Sequence, residues 1–564
     1  MHSVIYFKYR MTSQAISICV GGFLMCCAGA ISASAPQWID IAAQWGLAKE
    51  SVYGSGDATR YLIETTGTGA AIFDFNGDGK NDLLVLNGTR IGAGSAPSPM
   101  LYRNEGNGKF QERAKESGLG PGGWAQAACA ADIDNDGDAD LFITYYGSNR
   151  LYRNDGGTFE DVTAKAGLPV SGVRWGSGCA LLDYDRDGRL DIFVANYVDI
   201  QLDRSPKPGS MPECIWKGTP VACGPRGLPM AKNILYHQLP DGRFEDVSAK
   251  AGILKPGGRY GLGVAVADFN NDGWPDIYVA CDQTPSLLYQ NLRNGTFRNT
   301  AMEAGVAYDA NGRAQAGMGV AVADFDGNGF LDIAKTNFSG DLPSLYLNED
   351  GEFFRDTAEA AGLGRHQLLG WGVAFVDVDE DGRPDLLMAN GHVYPEVDRA
   401  KAGESYRQPT LLYHNAGAGK FEDWSGLSGV ALTQPKSSRG LAIGDLDGDG
   451  RPEIVIVNRN AAPTVLRQEG ARGNGLRVVL KGTRSNRSAI GARVTVAAGG
   501  QRQIAELSSG GSYYSQHEHA LYFGLGAASQ VEQVSVRWPN GVTENWKSIS
   551  AGQTLLLVEG SAPK

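Results

Sequence analysis

The feature that most constrains this chain is a nine-residue acidic loop that occurs seven times between residues 74 and 453. Each copy has Asp or Asn at positions 1, 3 and 5, Gly at position 6 and a carboxylate at position 9, and apolar strands flank it. A repeat of this size cannot bury both faces of its own sheet, so neighbouring copies must pack together. In chain order, loops 1 to 7 are Asp74–Asp82, Asp132–Asp140, Asp183–Asp191, Asp268–Asp276, Asp324–Asp332, Asp377–Asp385 and Asp445–Glu453.

Two further phrases recur in step with the loops. The phrase from Phe159 to Leu168 returns almost verbatim from Phe244 to Ile253, and more loosely from Trp38, Phe110, Phe297, Phe354 and Phe421. The phrase Leu-Tyr-Arg-Asn begins at Leu101 and returns at Leu151, Leu235, Leu288, Leu345, Leu412 and, degraded, at Val465.

Each repeat therefore offers about four short strands, and a closed ring of such sheets buries the faces of both terminal repeats. We predict an all-β fold, a seven-bladed β-propeller, with a small β-sandwich-like domain after it. The strand around Trp38 to Ile41 is expected to complete the last blade and so to remove exposed sheet edges.

The loop pattern predicts a metal site, because side-chain oxygens at positions 1, 3, 5 and 9 and a backbone carbonyl at position 7 can surround a hard cation. Calcium fits best, since Mg²⁺ favours a smaller shell and there is no nearby His or Cys ligand to favour zinc. We expect up to seven structural Ca²⁺ ions. The predicted ligands are Asp74, Asn76, Asp78, Lys80, Asp82, Asp132, Asp134, Asp136, Asp138, Asp140, Asp183, Asp185, Asp187, Arg189, Asp191, Asp268, Asn270, Asp272, Trp274, Asp276, Asp324, Asp326, Asn328, Phe330, Asp332, Asp377, Asp379, Asp381, Arg383, Asp385, Asp445, Asp447, Asp449, Arg451 and Glu453.

The alternative interpretation is a series of EF-hands, which share the first six positions but need a Glu at position 12 and flanking helices. Position 12 is instead Val85, Ile143, Val194, Val279, Lys335, Met388 and Ile456. The loops are therefore predicted to be metal-carrying turns of β-hairpins. Asn in loops 1, 4 and 5 lowers the local negative charge, so we expect weaker binding there.

The loops and their Gly- and Ala-rich preceding strands resemble FG-GAP or VCBS repeats, the units of the integrin α-subunit propeller. This resemblance covers residues 38 to about 470 and implies structural Ca²⁺ at blade turns. After Gly470 the loops stop, and the segments Asn486–Val494, Tyr522–Gly526 and Val536–Gly541 resemble an ASPIC/UnbV domain. A propeller followed by this domain is similar to the cartilage acidic protein family, which implies extracellular placement and binding without an established reaction.

The N-terminus has Lys8 and Arg10, an apolar run from about Ala15 to Ile31, and then small residues, as in a secretory signal. We therefore expect a signal peptide at 1–35, a propeller at 36–470 and an ASPIC/UnbV domain at 471–564, with no transmembrane span in the mature chain. A membrane anchor and a lipoprotein signal are the alternatives.

Five cysteines follow the predicted signal. Cys214 and Cys223 bracket a short Gly- and Pro-rich loop and are expected to form a disulfide in an exported protein. The apolar surroundings of Cys129, Cys179 and Cys281 predict buried thiols.

The formal charge of −12 says little about partners, because seven Ca²⁺ ions would bring the loaded protein close to neutrality. We expect an extracellular glycan or protein ligand and no nucleic acid. Candidate ligand-face residues precede the acidic loops and converge on one mouth of a ring, although they would also serve to plug the channel. They are Trp124, Arg174, Trp175, Arg259, Tyr260, Trp371 and Arg439.

The chain has no G-x-S-x-G, H-E-x-x-H, C-x-x-C or P-loop motif. We therefore predict a non-catalytic recognition or adhesion protein, with an exported polysaccharide lyase or hydrolase as the alternative. His517 and His519 are two residues apart on a predicted β-strand and so share one face, and they are interpreted as a structural pair, with a zinc or copper site as the alternative.

Overall fold

The computed structural model describes residues 35–365, 367–401, 403–470 and 473–563, so nearly all of the predicted signal peptide lies outside the described residues. The described residues form an almost entirely β structure, which confirms the predicted fold class. Helices are single turns in connecting segments. They are α1 (Ile63–Thr66), α2 (Ala358–Ala361), α3 (Val397–Ala400), α4 (Val430–Thr433) and the 3₁₀ turns Leu202–Arg204, Pro212–Cys214 and Ser425–Leu427.

The first 430 or so described residues form seven antiparallel units of four strands each, blades 1 to 7. A short pairing of residues 146–147 with 174–175 joins blades 2 and 3 into one eight-stranded sheet. Strand β1 (Gln37–Asp40) precedes them and belongs to blade 7. Blade 1 contains β2 (Ala70–Phe73), β3 (Asp82–Val85), β4 (Met100–Asn104) and β5 (Phe110–Glu112), and blade 2 contains β6 (Trp124–Ala131), β7 (Asp140–Gly147), β8 (Arg150–Asp155) and β9 (Thr158–Asp161).

Blade 3 contains an inserted hairpin. Its strands are β10 (Arg174–Leu182), β11 (Asp191–Asn196), β14 (Ile234–Gln238) and β15 (Phe244–Asp246), and the hairpin is β12 (Ile215–Trp216) with β13 (Thr219–Pro220).

Blade 4 has β16 (Gly261–Ala267), β17 (Asp276–Cys281), β18 (Leu287–Asn291) and β19 (Phe297–Asn299). Blade 5 has β20 (Gly317–Ala323), β21 (Asp332–Asn337), β22 (Ser344–Asn348) and β23 (Phe354–Asp356). Blade 6 has β24 (Gly370–Val376), β25 (Asp385–Asn390), β26 (Leu411–Gly417) and β27 (Lys420–Asp423), and blade 7 has β28 (Ser438–Gly444), β29 (Glu453–Asn458), β30 (Thr464–Glu469) and β1.

The innermost strands close the seven blades into a ring. Each one packs against the innermost strand of the next blade, and β28 of blade 7 packs back against β2 of blade 1. The outermost strand of blade 7 is β1, which pairs antiparallel with β30 so that Trp38 lies opposite Gln468. The predicted closure of the ring by the N-terminal strand is therefore confirmed.

The innermost strands are rich in Gly because neighbouring backbones approach closely around the channel. A Cβ atom added at Gly319 would lie 2.0 Å from the carbonyl oxygen of Trp371, and one at Gly263 would lie 2.3 Å from that of Met318. Farther from the axis, facing blades bury larger apolar side chains. Between blades 3 and 4 these include Phe193, Val264 and Ile277.

Two disulfides lie within the ring. Cys214 and Cys223 are bonded, as predicted, and pin the base of the β12–β13 hairpin. The prediction of three buried thiols is wrong for Cys129 and Cys179, which bond to each other across the neighbouring strands β6 and β10. The two strands lie side by side because the ring closes around the channel. Among the described cysteines, Cys281 alone remains a buried thiol, as predicted.

The C-terminal part forms two sheets that face each other across their own apolar core, which includes Val494, Val534 and the buried Trp538. One sheet has β34 (Ala520–Gly526), β31 (Asn474–Lys481) and β37 (Gln553–Val558), and the other has β33 (Gln501–Glu506), β32 (Arg493–Ala498), β35 (Gln530–Arg537) and β36 (Thr543–Ser550). Within the described ranges, no helix is both long and apolar enough to span a bilayer.

Candidate functional site

Each acidic loop connects the first and second strands of its blade, and its backbone is fixed by its own carboxylates. Oδ2 of the Asp at position 1 accepts the N–H of the Gly at position 6 in all seven loops, at 2.7 to 3.0 Å. Oδ1 of the residue at position 5 accepts the N–H of position 7, at 2.8 to 3.0 Å. These bonds turn the side chains at positions 1, 3 and 5 toward one another.

The carboxylate at position 9 begins the second strand and is fully buried. In loop 5, Asp332 Oδ2 accepts the N–H of Phe325 at 3.0 Å, and Oδ1 accepts that of Asn348 at 2.7 Å. Burial is the main cause that raises the pKa of these acids. The pKa is about 7 for Asp82, Asp140 and Asp191 and about 9 for Asp332 and Glu453, and it is also raised for Asp276 and Asp385.

Several carboxylate oxygens in the loops have no hydrogen-bond partner although they are buried. At position 1 these are Oδ1 of Asp132 and of Asp324, and at position 3 they are Asp185 Oδ1 and both oxygens of Asp379. Burial, followed by repulsion from neighbouring carboxylates, raises the pKa of Asp132 to about 6. Loops 2, 3, 5 and 6 thus combine clustered negative charge with unsatisfied acceptors, the arrangement that a hard divalent cation satisfies.

Two histidines lie beside these carboxylates, so the expectation that no His is near the loops was wrong. His237 Nδ1 lies 3.0 Å from Asp191 Oδ1, and His414 Nδ1 lies 3.0 Å from Asp385 Oδ1. Both occupy the third position of the Leu-Tyr-x-Asn phrase, in the strand next to the loop. Because each imidazole contacts the carboxylate at position 9, it can hold that predicted ligand in place.

Sequence reasoning also missed a carboxamide that joins each loop to the next blade. In the fourth position of the Leu-Tyr-x-Asn phrase, an Asn or Gln side chain donates to the carbonyl oxygen at position 2 of the preceding blade's loop. The seven interblade carboxamides are Asn104 to Leu446, Asn154 to Phe75, Gln238 to Ile133, Asn291 to Tyr184, Asn348 to Phe269, Asn415 to Phe325 and Gln468 to Val378, at 2.7 to 3.1 Å. The recurrence of the phrase was the signal that could have revealed them.

The candidate ligand-face residues gather at one end of the ring, but most have little exposed surface. Arg439 is 0% exposed, lies over the ring of Trp371 and donates to the carbonyl oxygen of Thr65. The buried members are Trp124, Trp175, Tyr260, Trp371 and Arg439. Arg174 is exposed and Arg259 is half-buried. The five buried side chains fill the end of the channel and form part of its aromatic core.

A connecting segment of the C-terminal domain also enters the channel. Residues 507–519, the channel segment, connect β33 to β34 and contact the innermost strands of six blades. Ser512 O accepts the N–H of Val320 at 2.9 Å, and the N–H of Gln516 donates to Ala70 O at 2.8 Å. At its centre, the buried ring of Tyr513 packs edge-on against Trp371.

The predicted histidine pair belongs to this channel segment. His517 Nδ1 accepts the N–H of Ile443 in blade 7 at 3.1 Å, and the following residue, Glu518, donates its N–H to Ile443 O at 3.0 Å. Burial lowers the pKa of both His517 and His519 to about 4, so both are neutral at physiological pH. His517 thus makes a structural contact with the ring.

The β12–β13 hairpin lies at the end of the ring away from the C-terminal domain, the same end as the candidate ligand-face residues. Trp216 Nε1 donates to Glu404 Oε2 at 2.8 Å, and Ser339 donates to Glu404 Oε1 at 2.8 Å. The indole ring also packs edge-on against Phe338. These contacts fasten the hairpin to blades 5 and 6, while the neighbouring Ile215 stays 47% exposed.

Comparison with known families agrees with this geometry. Residues 74–143, 132–194, 227–279, 268–334 and 402–456 match the FG-GAP-like repeat, and residues 482–564 match ASPIC and UnbV. The chain belongs to the FG-GAP-repeat family. The chain is also related to cartilage acidic protein 1.

Cartilage acidic protein 1 of Mus musculus is 26% identical over 84% of this chain and 70% of its own length. The Homo sapiens protein is 26% identical over 78% of this chain and 64% of its own length. Among solved structures, an Agrocybe aegerita lectin that recognises non-reducing terminal N-acetylglucosamine has a TM-score of 0.36 and 18% identity, covering 71% of this chain and 94% of the lectin. YCF48 bound to D1 peptide has a TM-score of 0.39 and 9% identity, covering 75% of this chain and 98% of YCF48.

Proposed function

We propose that this FG-GAP protein is a secreted, calcium-stabilised, non-catalytic recognition protein that binds an extracellular glycan or protein. In this proposal a signal peptide at 1–35 is removed. The mature chain then consists of a seven-bladed propeller at 36–470 and an ASPIC/UnbV domain at 471–564, and up to seven Ca²⁺ ions hold the blade turns.

The calcium part rests on the unpartnered carboxylate oxygens of loops 2, 3, 5 and 6. Asp132 Oδ1 and Asp324 Oδ1 are buried without a hydrogen-bond partner. A buried carboxylate without a partner is costly, and Ca²⁺ supplies the missing positive charge to several oxygens at once. When bound, the ion would neutralise the clustered carboxylates, while the backbone bonds at positions 6 and 7 keep the turn closed.

Chelation tests this part. We expect excess EGTA to lower the melting temperature of the full chain by many degrees, because an ion that binds only the folded state stabilises it by mass action. Readdition of Ca²⁺ should restore the melting temperature, and Mg²⁺ at the same concentration should restore less of it. An unchanged melting curve in excess chelator would contradict structural calcium.

The recognition part rests on the disulfide-pinned hairpin at the end of the ring. It interrupts the repeat between β11 and β14, and departures from a repeat are where binding surfaces often lie. Ile215 and Met230 in this insertion are each 47% exposed, and Ala231 forms a β-bridge with Arg259. Exposed apolar groups beside an arginine suit a ligand with an apolar face and acceptor groups, such as a glycan or a protein loop.

Binding can be tested with a glycan array and immobilised extracellular matrix proteins. Ile215→Asp and Arg259→Ala should weaken binding at least tenfold without changing the melting temperature. Ile91→Asp, at an exposed apolar residue outside the insertion, is the matched control. Turnover of a polysaccharide that Arg259→Ala abolishes would favour the alternative, an exported lyase or hydrolase.

A further inference from the structure

Loop 4 differs from the other acidic loops in what surrounds its first carboxylate. Asp268 is 2% exposed, and its Oδ1 accepts the N–H of Asp272 at 3.0 Å. Its Oδ2 accepts the N–H of Gly273 at 2.8 Å and also the Nη2 of Arg537 at 2.5 Å. Backbone N–H groups reach both oxygens of the first Asp in loops 1, 3, 6 and 7 as well, whereas Asp132 and Asp324, in loops 2 and 5, each keep a buried Oδ1 without a partner. The guanidinium of Arg537 is what sets the first carboxylate of loop 4 apart from those of the other described loops.

Arg537 comes from the C-terminal domain and lies in a row of three charged residues across one sheet. Strand pairing places Arg493 on β32 opposite both Glu506 on β33 and Arg537 on β35. Glu506 Oε1 accepts the N–H of Asp268 at 3.0 Å, and Arg493 Nη2 donates to Asp268 O at 2.6 Å. Arg493 also donates to the side chain of Asn271. The row thus contacts the first and fourth residues of loop 4, Asp268 and Asn271.

Further positive charge surrounds the rest of this loop. Arg186 from loop 3 lies over the ring of Trp274 at 4.4 Å, and Arg293 Nε lies 3.7 Å from Asp272 Oδ2. A guanidinium at hydrogen-bond distance from Asp268 Oδ2 provides the charge that a metal ion would otherwise provide, and neighbouring guanidiniums repel a divalent ion. Asn270 at position 3 also removes one carboxylate from the predicted ligand set. The residues of loop 4 therefore do not fit Ca²⁺.

Arg189 and Arg383 bond the carboxylates at position 5 of their own loops, 3 and 6, but not the first carboxylate. The other arginines of the C-terminal domain lie farther from the first carboxylate of the loops they contact. Arg487 Nε is 3.4 Å from Asp132 Oδ2 in loop 2, where Asp132 Oδ1 stays unpartnered. Arg477 Nε is 3.9 Å from Asp445 Oδ2 in loop 7, and its Nη2 bonds Glu518 instead. Only in loop 4, among the described loops, does a C-terminal arginine lie within 2.5 Å of the first carboxylate.

We infer that loop 4 is a docking site of the ASPIC/UnbV domain at which Arg537 and Arg493, instead of Ca²⁺, neutralise the loop. This inference rests on the proposed calcium function of the other loops. The repeated acidic loop then serves two purposes in one ring: metal binding at some blades and attachment of the C-terminal domain at blade 4.

Calcium stoichiometry of the full chain tests the inference. The matched variants are Asp272→Asn in loop 4 and Asp381→Asn in loop 6, which change the same position of the repeat. Equilibrium dialysis with metal analysis should show that Asp381→Asn loses about one bound Ca²⁺ and that Asp272→Asn loses none. Loss of one ion in Asp272→Asn would overturn the inference. If the unmodified protein binds no Ca²⁺, the proposed calcium function is wrong. The inference about loop 4 is then tested by the melting temperatures described next.

The second measurement is the melting temperature in excess EGTA. Arg537→Ala should lower it by several degrees, because the pairing with Asp268 needs no metal. Arg502→Ala, at an exposed arginine on β33 of the same sheet, is the control and should leave it unchanged. Equal melting temperatures for Arg537→Ala and the unmodified protein in chelator would overturn the inference.

Discussion

The side-chain carboxamide of Asn348 joins two blades through two carbonyl groups. Its Nδ2 donates to Phe269 O in loop 4 at 2.9 Å and to Leu331 O in loop 5 at 3.0 Å, and the residue is completely buried. Because water cannot reach these carbonyls, a replacement without donors would leave both unsatisfied. Asn348, whose sequence context is that of an ordinary strand residue, thus fixes the distance between loops 4 and 5.

We predict that Asn348→Ala lowers the free energy of unfolding by on the order of 2 to 4 kcal/mol, from two lost buried hydrogen bonds. Urea unfolding followed by tryptophan fluorescence measures the effect. Asn311→Ala, at an exposed residue of the neighbouring connection, should change the stability by less than about 0.5 kcal/mol. Similar midpoints for the two variants would show that the carboxamide does not hold the blades together.

At the scale of elements, the two disulfides constrain different lengths of chain. Cys129 and Cys179 are 50 residues apart and join the innermost strands of blades 2 and 3, whereas Cys214 and Cys223 are 9 apart and close one hairpin. In the chain-entropy description, a crosslink stabilises more when it closes a longer loop of the unfolded chain. The Cys129–Cys179 disulfide therefore contributes more to the free energy of unfolding, whereas the Cys214–Cys223 disulfide constrains only the β12–β13 hairpin.

We expect Cys129→Ala with Cys179→Ala to cost about 4 kcal/mol, and Cys214→Ala with Cys223→Ala about 2 to 3 kcal/mol. Thermal unfolding of the two double variants under non-reducing conditions measures the difference. The first pair should also lower the melting temperature of a chelator-treated sample, because the crosslink acts independently of metal. A larger loss of stability in the Cys214→Ala, Cys223→Ala variant than in the Cys129→Ala, Cys179→Ala variant would contradict the entropic account.

The sequence predicted the elements that repeat better than the elements that do not. The loops, the four strands per blade and the closing strand at Trp38 all followed from recurrence. The bond between Cys129 and Cys179 could have been predicted too, since they precede loops 2 and 3 by three and four residues and so occupy nearly the same register of adjacent blades. The channel segment could not, because Tyr513 and its neighbours have no counterpart in the repeat and contact strands hundreds of residues earlier in the chain.

At the scale of the whole molecule, the C-terminal domain and the ring share one interior. Tyr513 lies at their contact, where its hydroxyl donates to Thr66 O at 3.0 Å and its ring meets Trp371. The buried ring of Tyr513 couples the stability of the C-terminal domain to that of the ring of blades, because neither part can lose the contact without exposing aromatic surface. The two parts should therefore unfold together.

We predict that Tyr513→Ala lowers the free energy of unfolding by about 3 to 5 kcal/mol and separates one calorimetric transition into two. Tyr513→Phe keeps the ring, so it should cost only about 1 kcal/mol and keep a single transition. Two transitions in the unmodified protein would show that the parts unfold independently, and a single transition in Tyr513→Ala would show that other contacts couple them.

The path of the chain through this contact also determines when the protein can finish folding. Blade 7 needs the N-terminal strand β1, and the channel needs residues 507–519, which follow every blade in the sequence. During synthesis the ring is therefore complete in sequence well before its centre can be filled. A product that ends early, even after the last blade, would carry an unfilled aromatic channel, so premature termination anywhere before residue 519 is expected to give a protein that aggregates or is degraded instead of a shorter working propeller.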